Sequence, residues 1–198
     1  MNRSKATQGV IFRVALTGIC AALIEAVKLA LAVLPNVEGV TLLTALFGYC
    51  FGWTGVLASV VFVTIEPLIY GYHTWVISYY LYWPLVAIIF MILGRKKVRN
   101  RIVLTAVAVL LTVWFGILTA VVDATFFFRI LGRASAEQNF WHSLFAYYMG
   151  GIWFYIVQII CNAVVFPLLF RPLSELLGKL RVKFLGNSEK TLDKPEET

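Results

Sequence analysis

The topology of this chain depends on residues 39–65, GVTLLTALFGYCFGWTGVLASVVFVTI, a run without a single charged residue. Its middle carries three closely spaced glycines, Gly48, Gly52 and Gly55. Glycine clusters between apolar segments favour a turn. The run is therefore predicted to form two short helices, at about 39–50 and 53–70, rather than one long helix.

The composition places the protein in a membrane. Hydrophobic residues make up 61% of the 198 residues, charged residues make up 14%, and the mean hydropathy is +0.84. Soluble domains contain roughly half apolar residues and roughly a quarter charged residues. Other segments long enough to cross a hydrocarbon core of about 30 Å are residues 10–34, 75–93, 102–122 and 140–170. The predicted fold is all-α, an integral membrane bundle of six transmembrane helices.

The distribution of charge predicts how the bundle is oriented. The formal net charge is +7, and the basic residues concentrate in residues 3–13, 95–101 and 171–183, whereas the charges elsewhere are net negative. Six crossings would place all three basic segments on one side, and positive charge favours the cytoplasmic side. Both termini are therefore predicted to be cytoplasmic, and the basicity reflects orientation rather than nucleic-acid binding.

Four regions follow from these patterns. Residues 1–9 are predicted to be a cytoplasmic N-terminus, and residues 10–170 a six-helix transmembrane domain. Leucines at helical spacing, with basic residues between them, predict a cytoplasmic amphipathic helix over 171–184. The polar residues 185–198 are predicted to be a disordered tail.

No motif of catalysis or metal binding is present in the sequence. It lacks a nucleotide-binding loop and a nucleophile elbow. His73 and His142 are far apart along the chain and lack the spacing of a zinc motif. We therefore expect a protein that is not an enzyme and that holds no metal or cofactor.

The first predicted helix carries a stripe of small residues spaced four apart: Gly18, Ala22, Ala26 and Ala30. Small residues let another helix approach closely inside a membrane. That neighbour is either a partner protein or a helix of the same bundle. On the same helix, Glu25 and Lys28 are expected to pair with each other, because an isolated charge in a membrane is costly. Contact with a ligand is the alternative for this pair.

Aromatic and amide side chains predict a cavity that opens outward. They fall on one face of each of two helices: Trp75, Tyr79 and Tyr82, and then Trp141, Tyr148, Tyr155, Gln158 and Asn162. Amides deep in an apolar span are expected to face the bundle interior, so the two faces would enclose a flat or bulky polar molecule. A belt of aromatic residues at the membrane interface is the alternative for part of the set.

Polar residues at the predicted outer ends extend this candidate binding site. They are Asn36, Glu38, Glu66, Tyr72 and His73. Asn36 and Glu38 lie in a short link that would cross the mouth of the bundle, and Glu66 directly follows an apolar span. Ordinary solvated surface charge is the alternative.

The segment 34–55, LPNVEGVTLLTALFGYCFGWTG, together with six predicted helices and small residues in the first, resembles the substrate-binding S components of energy-coupling factor (ECF) vitamin transporters. The resemblance implies a multi-pass protein of a prokaryotic plasma membrane that captures a vitamin from outside. It also implies docking through helix one onto a transmembrane coupling subunit that works with two ATPase subunits. Gly18, Ala22 and Ala26 would match the docking face, although Gly18 departs from the family's typical alanine pair.

The overall resemblance is to members that take up cobalamin. Riboflavin, folate and a queuosine precursor are alternative substrates. A rival from another class is a non-transport membrane protein, such as an assembly factor or an intramembrane enzyme that uses Glu25, Lys28 and Asp123. An ion-coupled carrier is disfavoured because the sequence shows no internal repeat.

Overall fold

The computed structural model describes residues 3–34, 37, 39–126 and 140–192. Within these ranges the chain is helical and contains no strand. The helices are α1 Arg3–Leu31, α2 Val40–Phe51, α3 Trp53–Tyr70, α4 Thr74–Arg95, α5 Arg101–Thr125, α6 Phe140–Val165 and α7 Arg171–Leu192. A π-helical segment, Phe166–Phe170, joins α6 to α7 without a break. The predicted all-α class is confirmed.

Within the described residues, five helical stretches are long and apolar enough to cross a membrane. They are Gly9–Leu31, Trp53–Tyr70, Thr74–Arg95, Arg101–Thr125 and Phe140–Arg181. With 12 residues, α2 is shorter and rises about 18 Å, less than the hydrocarbon thickness of about 30 Å. The bundle thus has five helices of spanning length and one short apolar helix. The sides on which the termini lie stay a prediction.

The break between α2 and α3 lies where the glycines predict it. Gly52 has a φ of 62°, a left-handed conformation that glycine adopts at little cost. A side chain at Gly48 would overlap the backbone carbonyl of Ala87 in α4, and one at Gly55 would overlap the carbonyl of Phe47. These glycines therefore let α2 lie directly against both α3 and α4.

The core lies around α2, whose residues are mostly buried. Helices α3 and α4 pack on both α2 and each other, α1 packs on α3, and α6 packs mainly on α5. In α6 the buried residue is Asn162, and most of the apolar side chains of this helix are exposed. Helices α1 and α6 are therefore peripheral, with outward faces suited to lipid or a partner.

Several element boundaries differ from those expected. Helix α1 already includes residues 3–9, and α7 continues through residue 192, into the stretch predicted to be a disordered tail. Extending an existing helix needs no new nucleation, so polar residues can continue it. Glu66 and Pro67 lie inside α3, whose bounds agree with the predicted helix at 53–70, and only residues 71–73 separate α3 from α4. Residues 193–198 lie outside the described part.

Candidate functional site

Three charged residues meet between α1 and α3, near the end of the bundle where α4 begins. Lys28 Nζ of α1 donates a hydrogen bond to Glu66 Oε2 of α3 and forms an ion pair with it. The Glu66 side chain is fully buried, and Glu25 of α1 is 8% exposed. We call Glu25, Lys28 and Glu66 the charged cluster.

The expected pair of Glu25 with Lys28 is replaced by a pair between two helices. Lys28 binds Glu66, which lies 38 residues further along the chain. The physical reason is burial: Glu66 has no access to water, and a buried carboxylate is costly unless it is paired. The ion pair therefore ties α1 to α3 near the end of both helices.

Four rings surround the Lys28 ammonium. Their centroids lie 4.4 Å (Tyr70), 5.5 Å (Tyr79), 5.8 Å (Trp75) and 5.9 Å (Phe62) from Nζ. A cation within about 6 Å of a ring centroid can be attracted by the ring's negative face. We call these four residues the aromatic cage. The cage thus holds the ammonium of Lys28 next to the two carboxyl groups of the charged cluster.

Part of the charged cluster accepts no hydrogen bond from the described residues. Both carboxylate oxygens of Glu25 and Oε1 of Glu66 are buried and accept no hydrogen bond from a described N–H or O–H group, and the Glu25 carboxyl lies beside that of Glu66. Two carboxyl groups face one ammonium, so either a proton or an added donor is needed to balance them. The cluster can therefore accept hydrogen bonds from a bound molecule.

The predicted face of α4 divides between this cage and the core. Trp75 and Tyr79 contact each other with centroids 4.8 Å apart, and both belong to the cage. Tyr82 is 1% exposed and packs against Phe115 of α5, with ring centroids 4.6 Å apart, deeper in the bundle. Trp75 and Tyr79 thus lie next to Lys28, whereas Tyr82 belongs to the core.

The α6 residues of the predicted site contact α5. Tyr155 Oη lies 2.9 Å from Thr119 Oγ1, and Asn162 Nδ2 donates to Thr112 Oγ1 at 2.9 Å. The rings of Tyr148 and Tyr155 are 5.6 Å apart. These groups hold α6 on α5. Gln158 Oε1 is buried and has no partner among the described residues.

A separate cavity of about 450 Å³ lies between α5 and α6. Trp141 and Tyr148 line it together with apolar side chains such as Ile117 and Phe145. Its volume suits a small molecule, but it lacks the charged groups found around Lys28. The predicted binding residues therefore fall into two groups, one at the charged cluster and one at the α5–α6 contact.

The remaining candidates lie around the outer loops. Tyr72 is 79% exposed, and the His73 ring stacks on Trp75 with centroids 6.4 Å apart. His73 thus continues the aromatic surface of the cage toward solvent, whereas Tyr72 is turned away from protein. Asn36 and Glu38 lie outside the described residues.

Phe62 and Tyr70 were not among the predicted site residues. Both lie on α3, four residues before and four residues after Glu66. This spacing places all three on one helix face. The same spacing in the sequence could have identified the aromatic neighbours of Glu66.

The small-residue stripe of Gly18, Ala22, Ala26 and Ala30 faces away from the bundle. All four residues are exposed, whereas Cys20, Ala21 and Ile24 of the same helix are buried. A side chain built on Gly18 would meet no atom within 4 Å. The stripe therefore does not serve packing within this chain among the described residues.

Comparisons with known proteins assign no role to these features. The chain matches no protein-family model, and no curated protein or solved structure is significantly similar to it.

Proposed function

We propose that this protein is the substrate-binding S component of an ECF-type importer in a prokaryotic plasma membrane. The observation that carries the proposal is the exposed small-residue stripe of α1. An apolar membrane helix gains little by showing small residues to lipid, whereas small residues allow close contact with a second helix. A transmembrane coupling subunit would occupy this face, and two ATPase subunits would supply the energy.

The charged cluster and the aromatic cage support the binding half of the proposal. Buried carboxylate oxygens that accept no hydrogen bond from the described residues, next to rings from α3 and α4, suit a ring-bearing molecule that also donates hydrogen bonds. The substrate is a vitamin, with cobalamin or a related corrinoid as the leading candidate. Riboflavin, folate and a queuosine precursor are the other candidates.

The absence of a nucleotide-binding loop from the sequence fits a subunit that relies on partners for ATP hydrolysis. In this arrangement the chain itself performs no covalent chemistry. It captures the solute, and the docked partners drive its release inside.

The test separates docking from binding. Ala22→Leu and Ala26→Leu would each place a bulky side chain on the stripe, and Ala106→Leu would make the same change on an exposed position of α5. We expect the α1 variants to abolish uptake of the vitamin that co-purifies with the protein, identified by mass spectrometry. Binding of that vitamin in detergent should stay at the wild-type level, because the charged cluster is on the other face of α1.

Ala106→Leu should leave both uptake and binding unchanged. Uptake that survives both α1 substitutions would contradict the docking role. Absence of any vitamin in the purified protein, and of any binding in a titration against a vitamin panel, would contradict the whole proposal.

A further inference from the structure

A second cavity, of about 730 Å³, lies at the opposite end of the bundle from the charged cluster. It is enclosed by the turn between α4 and α5, by the end of the π-helical segment and by α7. Its lining combines basic side chains (Arg99, Arg171, Lys179) with apolar or small ones (Leu104, Phe170, Gly178). Nothing in the proposed transport function requires this cavity.

Specific contacts hold the walls of the cavity. Tyr49 Oη donates to the carbonyl oxygen of Val98 at 2.9 Å and so fixes the α4–α5 turn on α2. Arg181 Nη1 donates to the carbonyl oxygen of Cys50 at 2.8 Å and so fixes α7 on the same helix. The Asn100 side chain accepts from Ile102 N at 2.9 Å and caps α5. The α4–α5 turn and α7, which border the cavity, are therefore both fixed to α2.

The charge of the lining is net positive. Arg171 Nε is paired with Glu175 Oε1 at 2.9 Å, which compensates one of the basic groups. Arg99 and Lys179 have no carboxylate within 4 Å in the part of the chain that the structure describes. Glu175 also lines the cavity and interacts electrostatically with Lys179 and Arg99, so three basic groups face one carboxylate, and the remaining positive charge favours an anion.

The position of the cavity identifies the source of that anion. Helix α4 ends at Arg95 and α5 begins at Arg101, so the turn between them lies at the end of two membrane-length helices. Next to the basic groups, Leu104 and Phe170 are buried and apolar, while Ile102 on the outside of α5 is 79% exposed. An acyl chain can follow this apolar surface while a phosphate remains near Arg99 and Lys179.

We propose that this cavity binds the phosphate headgroup of an anionic phospholipid. Basic pockets between transmembrane helices recognise such headgroups by charge. The lipid would bridge α5 and α7, and so hold α7 against the membrane surface. This site is expected on whichever side of the membrane the α4–α5 turn lies.

The test measures lipid retained by the purified full-length protein. Detergent-purified protein is incubated with phosphatidylglycerol or with phosphatidylcholine, and bound lipid is counted by native mass spectrometry. We expect phosphatidylglycerol to be retained in preference to phosphatidylcholine. Arg99→Gln combined with Lys179→Gln should lower retention of phosphatidylglycerol by about ten- to thirtyfold.

Two controls make the result specific. Arg95→Gln combined with Lys96→Gln also removes two positive charges, at the end of α4 and the start of the turn that follows it, but outside the cavity lining, and should retain the lipid. Gly178→Trp adds bulk where a Cβ meets nothing within 4 Å, and should displace the lipid without changing charge.

Equal loss in both charge variants, or full retention by Gly178→Trp and by the Arg99–Lys179 variant, would overturn the proposal. Equal displacement by soluble glycerol phosphate would show a free-phosphate site instead of a lipid site.

Discussion

At the residue scale, the two buried glutamates have different roles. Glu66 is paired with Lys28, whereas Glu25 forms no ion pair among the described residues and places a second buried carboxyl group beside that of Glu66. Removing one member of a buried ion pair leaves the other charge unmatched. Two buried carboxyl groups side by side repel each other when both are charged, so an amide at position 25 relieves that cost. Amide substitutions at the two positions should therefore act in opposite directions.

Glu66→Gln should lower the free energy of unfolding by about 1 to 3 kcal/mol, since Lys28 keeps partial access to water and can recover part of its solvation. Glu25→Gln should leave stability unchanged or raise it. Thermal unfolding of the ligand-free protein in one detergent gives the comparison. Equal destabilisation by both variants would mean that Glu25 shares the Lys28 charge, contrary to the assignment of the pair to Glu66.

At the scale of elements, local patterns in the sequence predicted the helices well. The glycines around residue 52 predicted the separation of α2 from α3, because a left-handed turn and close helix packing both require residues without a side chain. The spacing of Gly18, Ala22 and Ala26 predicted a common face. The sequence could not show that this face points outward, since that depends on which other face of α1 packs on α3.

The same limit explains the outcome at the binding site. The four-residue spacing of Trp75 and Tyr79 predicted that they share a face of α4. It could not predict the partner of Lys28, which lies 38 residues further along the chain. From the sequence alone, Glu25 is the expected partner of Lys28 because it is three residues away. In the structure Lys28 pairs instead with Glu66, the more deeply buried carboxylate. Likewise, aromatic periodicity in α6 could not distinguish a ligand cavity from the contact of Tyr155 with Thr119 of α5.

Close packing of α2 predicts a strong effect of one methyl group. Gly48→Ala would place a Cβ into the backbone carbonyl of Ala87, and backbone cannot move aside as a side chain can. We expect a loss of about 1 to 3 kcal/mol in unfolding free energy, the usual range for overpacking. Gly150→Ala in α6 is the matched control, because its Cβ would meet nothing within 4 Å and alanine favours a helix. A melting temperature for Gly48→Ala at or above that of Gly150→Ala would show that α2 and α4 are not in this close contact.

At the scale of the whole molecule, the role of the short helix α2 determines the topology. If α2 crosses the membrane, four crossings separate the N-terminus from residues 95–101, and the two lie on the same side. If α2 does not cross, three crossings separate them, and they lie on opposite sides. The positive-inside rule favours the first arrangement, because it places the basic segments together in the cytoplasm.

Single cysteines introduced into a background without Cys20, Cys50 and Cys161 distinguish these arrangements. Ser4→Cys and Lys96→Cys should react with a membrane-impermeant maleimide only after the cells are opened. Tyr72→Cys, in the exposed turn between α3 and α4, should react in intact cells. Since Tyr72 follows α3, it lies opposite the N-terminus only if α2 crosses. Labelling of Ser4→Cys and Tyr72→Cys from the same side would make α2 a helix that enters the bundle without spanning the membrane. The Lys28–Glu66 ion pair joins the end of α1 that is remote from Ser4 to the end of α3 next to that turn, so labelling from the same side would also contradict this ion pair.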